Sequence, residues 1–199
     1  MEYSKEFYEN NKLMNEGNIK DGFQEGHWVF YYENGKIFRK GEFKKGEPIG
    51  EWIEYFENAS IKYIAIGGYF DFLVEDLDNI VIKKYYDESG KTMIQNGNGI
   101  IDIKNDEGKK IIISFQNGVK EGVQQEFGEN GKLIRKVLYK KGKKEGKLYA
   151  WYPNGNLSIE IEYKDGEEKG EVKEFYENGK IKEEGKYNRE NIHLIIFGI

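Results

Sequence analysis

The sequence predicts an all-β fold: an elongated single antiparallel sheet, or β-hairpin solenoid, of about eight 24-residue repeats. Short motifs recur with this period along most of the chain, as in proteins built from stacked modules. Glycines interrupt the chain frequently, and each would cost a helix roughly 1 kcal/mol. No apolar pattern with the period of a helix is present.

In most repeats the first element is a strand that ends in one or two aromatic residues and an Asn-Gly or related turn, as in Tyr31–Lys36. A type I′ turn needs positive φ at both central residues, which Asn and Gly tolerate best. The sequence therefore predicts a two-residue type I′ turn at this motif. Its asparagine recurs every 24 residues in two series, Asn10, Asn34 and Asn58, and Asn130, Asn154 and Asn178.

The second element is a strand that ends in a Gly-x-x-x-Gly turn, as at Gly22 and Gly26. With both turns in place, each strand has about seven to nine residues, within the usual range. The repeats fill the chain, so we expect one repeat domain over residues 1–199. They begin near Glu2, Gly26, Gly50, Val74, Gly99, Gly122, Gly146 and Gly170.

Two segments depart from the pattern. Residues 67–98 are irregular, and 67–84 break the repeat with a run rich in apolar and acidic residues. This run either still forms strands or projects as a loop that recognises a partner. Residues 192–199 are apolar, and we expect them to cap the last hairpin or to mediate dimerisation.

A two-residue loop would pair Tyr32 with Ile37 on an apolar face. A three-residue loop would reverse the two faces. The other pairs expected on the apolar face are Phe56 with Ile61, Tyr152 with Leu157, and Tyr176 with Ile181. The same face should hold Trp28, Trp52, Leu148 and Val172, together with Phe43, Tyr139, Tyr163 and Tyr187.

The opposite face should be rich in Lys and Glu, but it carries one aromatic residue in most repeats. These aromatics either pack on neighbouring hairpins and long Lys stems or form a partner-binding row. The predicted partner-binding residues are Tyr31, Tyr55, Phe127, Trp151 and Phe175, and Phe7 occupies the same position.

Charge and composition exclude several classes of partner. The net charge is −5, from 31 basic and 36 acidic residues that are interspersed along the whole chain. Without a basic stripe, nucleic acid is disfavoured and membrane binding is unlikely. There is no cysteine, so disulfides are excluded. Residues 1–20 contain no signal-like apolar run, which predicts a cytoplasmic protein, or a secreted or surface protein whose leader has been removed.

No catalytic constellation is visible, so the sequence predicts neither an enzyme nor a cofactor or metal site. The two histidines, His27 and His193, lie at opposite ends of the repeats. The run Ser89–Thr92 resembles the end of a phosphate-binding loop, but Tyr85 stands where that motif needs glycine. The alternative is a hydrolase or metal site at Asp71, Asp76 and Asp78, which lack calcium-loop spacing.

The aromatic pair with Asn-Gly-Lys, followed by an aromatic residue and Gly-x-x-x-Gly, resembles the bacterial variant of the MORN repeat. The resemblance is strong in the repeats that begin at Gly26, Gly50, Gly122, Gly146 and Gly170, and poor between Gly67 and Gly99. It implies a hairpin solenoid for protein contacts, without catalytic residues, and suggests an antitoxin that neutralises a partner toxin. The alternatives are a secreted or surface protein that binds a host or envelope component, and a membrane-associated scaffold.

Overall fold

The computed structural model describes residues 1–69, 80–104, 108–188 and 191–193. Within these ranges every helix or strand assignment is a β-strand, and every strand pairing is antiparallel. The predicted all-β fold of successive hairpins is therefore confirmed. No helix in these ranges could cross a membrane.

The chain divides into two compact units, residues 1–99 with 117–119 and residues 100–116 with 120–199. The single repeat domain stays a prediction.

Each strand of the first unit pairs with the strand that follows it. These strands are β1 (Glu2–Phe7), β2 (Leu13–Lys20), β3 (Phe23–Tyr31), β4 (Ile37–Lys44), β5 (Glu47–Tyr55), β6 (Ile61–Ile66), β7 (Val81–Tyr86) and β8 (Thr92–Gln95). The boundaries between the units fall within β9 (Asn98–Lys104), between Gln116 and Asn117, and within β11 (Val119–Lys120).

The second unit continues the same hairpin order. Its strands are β10 (Lys110–Gln116), β12 (Gly122–Phe127), β13 (Leu133–Lys140), β14 (Lys143–Lys144), β15 (Gly146–Trp151), β16 (Leu157–Lys164), β17 (Glu167–Phe175), β18 (Ile181–Asn188) and β19 (Asn191–His193).

The type I′ turns lie at the other end of the hairpins from the predicted position. At Asp21-Gly22 both residues have positive φ, 52° and 81°. The same geometry recurs at Lys45-Gly46, Asn96-Gly97, Asn117-Gly118, Lys141-Gly142 and Asp165-Gly166. Positive φ at both central residues matches the twist of the flanking strands. The sequence thus predicts a turn correctly at Gly22, Gly46, Gly142 and Gly166, but the I′ geometry belongs to these turns and not to the Asn-Gly motif.

At the Asn-Gly motif the loop has three residues, so the predicted two-residue turn is wrong. Gly35 has a φ of 82°, whereas Asn34 does not have positive φ. The Gly35 N–H donates to the Tyr32 carbonyl at 2.8 Å, and the Tyr32 N–H donates to the Lys36 carbonyl at 2.9 Å. The Asn34 Oδ1 accepts a hydrogen bond from the Lys36 N–H at 2.9 Å, which holds the asparagine in the turn through its side chain.

A bulge in the second strand compensates for the extra loop residue. Tyr31 faces Ile37, but Phe30 already faces Arg39, so Phe38 has no cross-strand partner. Beyond the bulge Trp28 faces Gly41, the alignment that a two-residue loop would give. Because the two deviations cancel, the predicted faces hold along the body of the hairpin and fail beside the loop.

The predicted apolar face is confirmed where the strands are regular. Its buried residues include Trp28, Trp52, Leu148, Val172, Phe43, Tyr139 and Tyr163. The side chain of Tyr187 lies outside the described part. The predicted pairs beside the loops are wrong: Ile37 faces Tyr31, Ile61 faces Tyr55, Leu157 faces Trp151 and Ile181 faces Phe175. Ile61 and Ile181 are 37% and 53% exposed rather than buried.

The core of the first unit depends on tryptophan lying over glycine. Trp28 and Gly17 are cross-strand partners. A Cβ placed on Gly17 would lie 2.3 Å from the Trp28 ring, and one on Gly41 would lie 2.2 Å from the Trp52 ring. The two glycines therefore make room for indole rings that are 3% and 0% exposed.

The core of the second unit uses medium-sized residues at the corresponding positions. Leu148 takes the place of tryptophan, and Val137 and Ile161 take the place of glycine. All three are buried, together with Tyr139, Tyr163 and Val172. Because cores are close-packed, a smaller central residue requires larger neighbours.

Tyrosine hydroxyls link successive repeats beside the three-residue loops. The Tyr8, Tyr32 and Tyr152 hydroxyls donate to the carbonyls of Tyr31, Tyr55 and Phe175, at 2.6, 2.7 and 2.7 Å. At the type I′ turns, glutamates perform the same role. Glu25, Glu121 and Glu145 accept hydrogen bonds from the Lys45, Lys141 and Asp165 N–H groups, at 2.9, 2.7 and 3.0 Å.

Several predictions fall outside the described residues. They include the metal candidates Asp71, Asp76 and Asp78, and the central part of the irregular segment at 70–79. Most of the predicted cap, residues 194–199, is also outside.

Candidate protein-binding surface

Each predicted aromatic residue faces an aliphatic residue across the hairpin, and we call this set of pairs the aromatic–aliphatic ladder. Cross-strand partners project from the same face of a sheet, so each pair forms one apolar rung. In the first unit the rungs are Phe7–Leu13, Tyr31–Ile37 and Tyr55–Ile61. In the second unit they are Phe127–Leu133, Trp151–Leu157 and Phe175–Ile181.

The rungs are accessible to solvent, although unequally. Phe7, Ile61 and Ile181 are 55%, 37% and 53% exposed. The other nine ladder residues are half-buried. Consecutive rungs within a unit are two strands apart, which corresponds to roughly 9.6 Å. The ladder therefore presents apolar contacts at a regular interval on the face opposite the core.

In the first unit, hydrogen bonds hold the Tyr31 rung in place. The Tyr31 hydroxyl donates to Glu16 Oε1 at 2.7 Å, and the Tyr3 hydroxyl donates to Glu16 Oε2 at 2.9 Å. The hydrogen bond from Tyr31, followed by that from Tyr3, lowers the pKa of Glu16. Burial, with the hydrogen bond to Glu16, raises the pKa of Tyr31 to about 12. The Tyr31 hydroxyl is therefore occupied by a hydrogen bond within the sheet.

In the second unit, Trp151 is the rung with an available donor. Its ring stacks on Tyr149, with centroids 5.9 Å apart and planes inclined by 26°. The core indoles donate to main-chain carbonyls, Trp28 to Asn18 at 3.0 Å and Trp52 to Ile49 at 3.1 Å. By contrast, the Trp151 indole N–H donates to no residue in the described part of the chain, although such groups usually find a partner when buried.

Ion pairs lie on both faces of the second unit. On the ladder face Lys173 binds Glu184 at 3.1 Å, and Lys147 pairs with Glu160. On the core face, beside the loops, Lys182 binds Glu174 at 2.9 Å and Arg135 binds Glu126 at 3.1 Å. The hydrogen bond and charge of the partner carboxylate raise the pKa of Lys147, Lys173 and Lys182. Two ion pairs therefore lie beside the rungs on the ladder face.

A groove of about 610 Å³ opens on the first unit, lined by Val29 and Ile53 and by the charged residues Lys40, Glu42 and Glu51. His27 lies at this groove, with Nε2 3.3 Å from Glu42. Both side chains of this pair are exposed, His27 by 85% and Glu42 by 44%. Within the described ranges no group of three or more His, Cys, Asp or Glu residues could hold a metal ion.

Sequence reasoning found the aromatic half of each rung and missed the aliphatic half. A two-residue loop places Ile37 and its equivalents in the core, whereas the three-residue loop pairs them with the ladder aromatics. Sequence reasoning also missed the glutamate before the second glycine of Gly-x-x-x-Gly, although Glu25, Glu121 and Glu145 recur there. That recurrence could have identified them.

The chain matches the MORN repeat variant over residues 3–21, 24–45, 120–141, 144–165 and 168–189, which together make up more than half of it. These segments contain Phe7, Tyr31, Phe127, Trp151 and Phe175. The repeat that begins at Gly50, with Tyr55, lies outside them although we expected strong resemblance there. The chain matches no curated protein.

Proposed function

Because the chain belongs to the MORN repeat variant family, we propose that it is a module that binds a protein partner through the aromatic–aliphatic ladder. MORN repeats are generally protein- or membrane-binding modules, and the family is a non-enzymatic repeat module. The choice of a protein partner and of the ladder as its site is our proposal.

The observation that carries the proposal is the pairing of an aromatic with an aliphatic residue in every matched repeat. A structural role alone would need these residues buried, yet Phe7 and Ile181 are more than half exposed. Protein interfaces are enriched in aromatic side chains and depleted of unpaired charge at their centre. The ladder combines both features.

In its most specific form, the proposal is that the partner is a toxin that the chain neutralises. This version is supported by the family resemblance. It predicts that co-production with the toxin restores growth of cells that the toxin alone arrests. It also predicts that replacing Trp151 and Phe175 by alanine removes this protection while the folded protein is still produced.

Site-specific photo-crosslinking tests the proposed surface. A photoreactive phenylalanine analogue is placed at Ile181 or Ile61 in the ladder, or at Phe23 as a control. Phe23 is 56% exposed, as much as Ile181 at 53%, but it adjoins a type I′ turn. Cells that naturally produce the chain should yield a discrete protein adduct from the ladder positions only. Equal adducts at Phe23, or adducts with lipid instead of protein, would contradict the proposal.

A further inference from the structure

We infer that the second unit's ladder, centred on Trp151, recognises an uncharged proline-rich segment in the polyproline II conformation. This inference rests on the proposed function and names the chemistry of the partner. It is carried by the spacing of the rungs, by the free polar groups at Trp151 and Tyr149, and by the two ion pairs beside them on the same face.

The spacing of the rungs selects a partner conformation. Phe127, Trp151 and Phe175 lie on alternate strands, so successive rungs are roughly 9.6 Å apart. A polyproline II helix has three residues per turn and advances about 9.3 Å per turn, so every third residue points the same way at nearly this interval. An α-helix returns to one face after seven residues, about 10.5 Å, and falls out of step by about 1 Å at each rung. An extended strand turns residue i+3 to the opposite face.

The central rung supplies free hydrogen-bond donors beside an aromatic platform. The Trp151 indole N–H and the Tyr149 hydroxyl donate to no residue in the described ranges, and the two rings are stacked. Carbonyl groups of a polyproline II segment have no internal donors and are available to accept hydrogen bonds. Aromatic-lined grooves are a recurring means of binding such segments.

The charges around the ladder favour an uncharged occupant. On the ladder face the carboxylates of Glu184 and Glu160 are already paired with Lys173 and Lys147. A charged partner would have to break these pairs or remain unmatched near them. A neutral segment rich in proline complements this surface without either cost.

Nuclear magnetic resonance of the full chain tests the inference through its three tryptophans. The probe is an end-capped oligoproline of about 12 residues, roughly 37 Å long, which is enough to cover three rungs. The Trp151 indole signal should shift on titration, whereas the buried Trp28 and Trp52 indoles serve as internal controls. A Gly-Ser peptide of the same length, which is uncharged but flexible, should shift the signal much less.

Variants that each remove one hydrogen-bond donor test its contribution to oligoproline binding. Trp151→Phe keeps an aromatic ring and removes the donor, so the affinity for oligoproline should fall about fivefold. Tyr149→Phe tests the second donor in the same way. Tyr176→Phe is the control, because Tyr176 is an exposed tyrosine of the same unit outside the rungs. Circular dichroism and melting of each variant establish that the fold is retained.

The outcomes separate this inference from the proposed function. No Trp151 shift with oligoproline, in a protein whose Ile181 position still crosslinks to a protein partner, overturns the inference and leaves the proposed function standing. Tighter binding of an acidic or helical peptide than of oligoproline also overturns it. A Trp151 shift in the unmodified chain that is much smaller with Gly-Ser, together with an oligoproline affinity measured by calorimetry that Trp151→Phe weakens and Tyr176→Phe does not, supports it.

Discussion

The hydroxyl group of Tyr32 donates a hydrogen bond of 2.7 Å to the main-chain carbonyl of Tyr55, 23 residues later. Tyr8 makes the same bond to Tyr31 and Tyr152 makes it to Phe175. In each case the acceptor belongs to a ladder residue of the next repeat. The core-side tyrosine of one repeat therefore helps to position the ladder aromatic of the following one.

Replacing Tyr32 by phenylalanine should lower the free energy of unfolding by about 1 kcal/mol, because it removes the donor from a partly buried carbonyl. Tyr152→Phe should have a similar effect in the second unit. Tyr176→Phe is the control, since Tyr176 is 52% exposed and its hydroxyl has no hydrogen bond to any described residue. Urea denaturation of the three variants measures the difference. An equal loss in Tyr176→Phe would contradict the proposed role of the hydrogen bond.

The stability of the protein should fall at alkaline pH. Burial, followed by the charges of Glu54 and Glu57, raises the pKa of Tyr32 to about 12, and burial raises the pKa of Tyr31 to about 12. In the unfolded chain these phenols lose their protons near pH 10. Their contribution is therefore fully present below pH 10 and is lost as pH rises through 12.

Denaturation in urea at about pH 9 and about pH 11 tests this dependence. The double variant Tyr31→Phe with Tyr32→Phe should be less stable at the lower pH and should lose less stability between the two values. An unchanged slope in the double variant would show that other groups cause the alkaline loss.

Replacing Ala59 by glycine should stabilise the protein. Ala59 has a φ of 73° at the loop position where Gly35 has 82°. A left-handed conformation costs an L-residue roughly 1–2 kcal/mol, and the extra freedom of glycine in the unfolded chain offsets up to about 1 kcal/mol. We expect a gain of about 0.5–1 kcal/mol, measured as a rise in Tm.

Gly35→Ala is the matched counterpart and should destabilise by a similar amount. A Cβ on Gly35 would meet no atom within 4 Å, so the change tests backbone conformation without a clash. If both substitutions changed Tm in the same direction, the conformational explanation would fail.

The tryptophan-over-glycine arrangement should be convertible to the packing of the second unit. Gly17→Val drives a side chain into the Trp28 ring, and we expect a loss of about 3 kcal/mol. Trp28→Leu leaves a cavity at Gly17 and should cost about 3 kcal/mol or more. The double variant resembles Leu148 beside Val137, so its loss should be at least 1 kcal/mol smaller than the sum of the single losses. A double-mutant cycle in urea measures this coupling, and additive losses would contradict the interpretation.

The aromatic half of the candidate site could be predicted from the sequence, because Tyr31, Phe127, Trp151 and Phe175 recur before each Asn-Gly motif. The aliphatic half could not be predicted from the sequence. Whether Ile37 belongs with Trp28 or with Tyr31 depends on one loop residue and one bulge residue, and each shifts the alternation of faces by one.

The sequence by itself determined the all-β class, the hairpin order and the burial of residues such as Trp28, Trp52 and Leu148. These follow from a period that is written along the chain and from an alternation of side chains that regular strands preserve. Only the tertiary structure decided the turn geometry at Asn34-Gly35, the pairing of Ile37 with Tyr31 and the bond from Tyr32 to Tyr55. The first two depend on one extra loop residue and one compensating bulge, and the third depends on how one repeat packs against the next, so no single sequence motif specifies them.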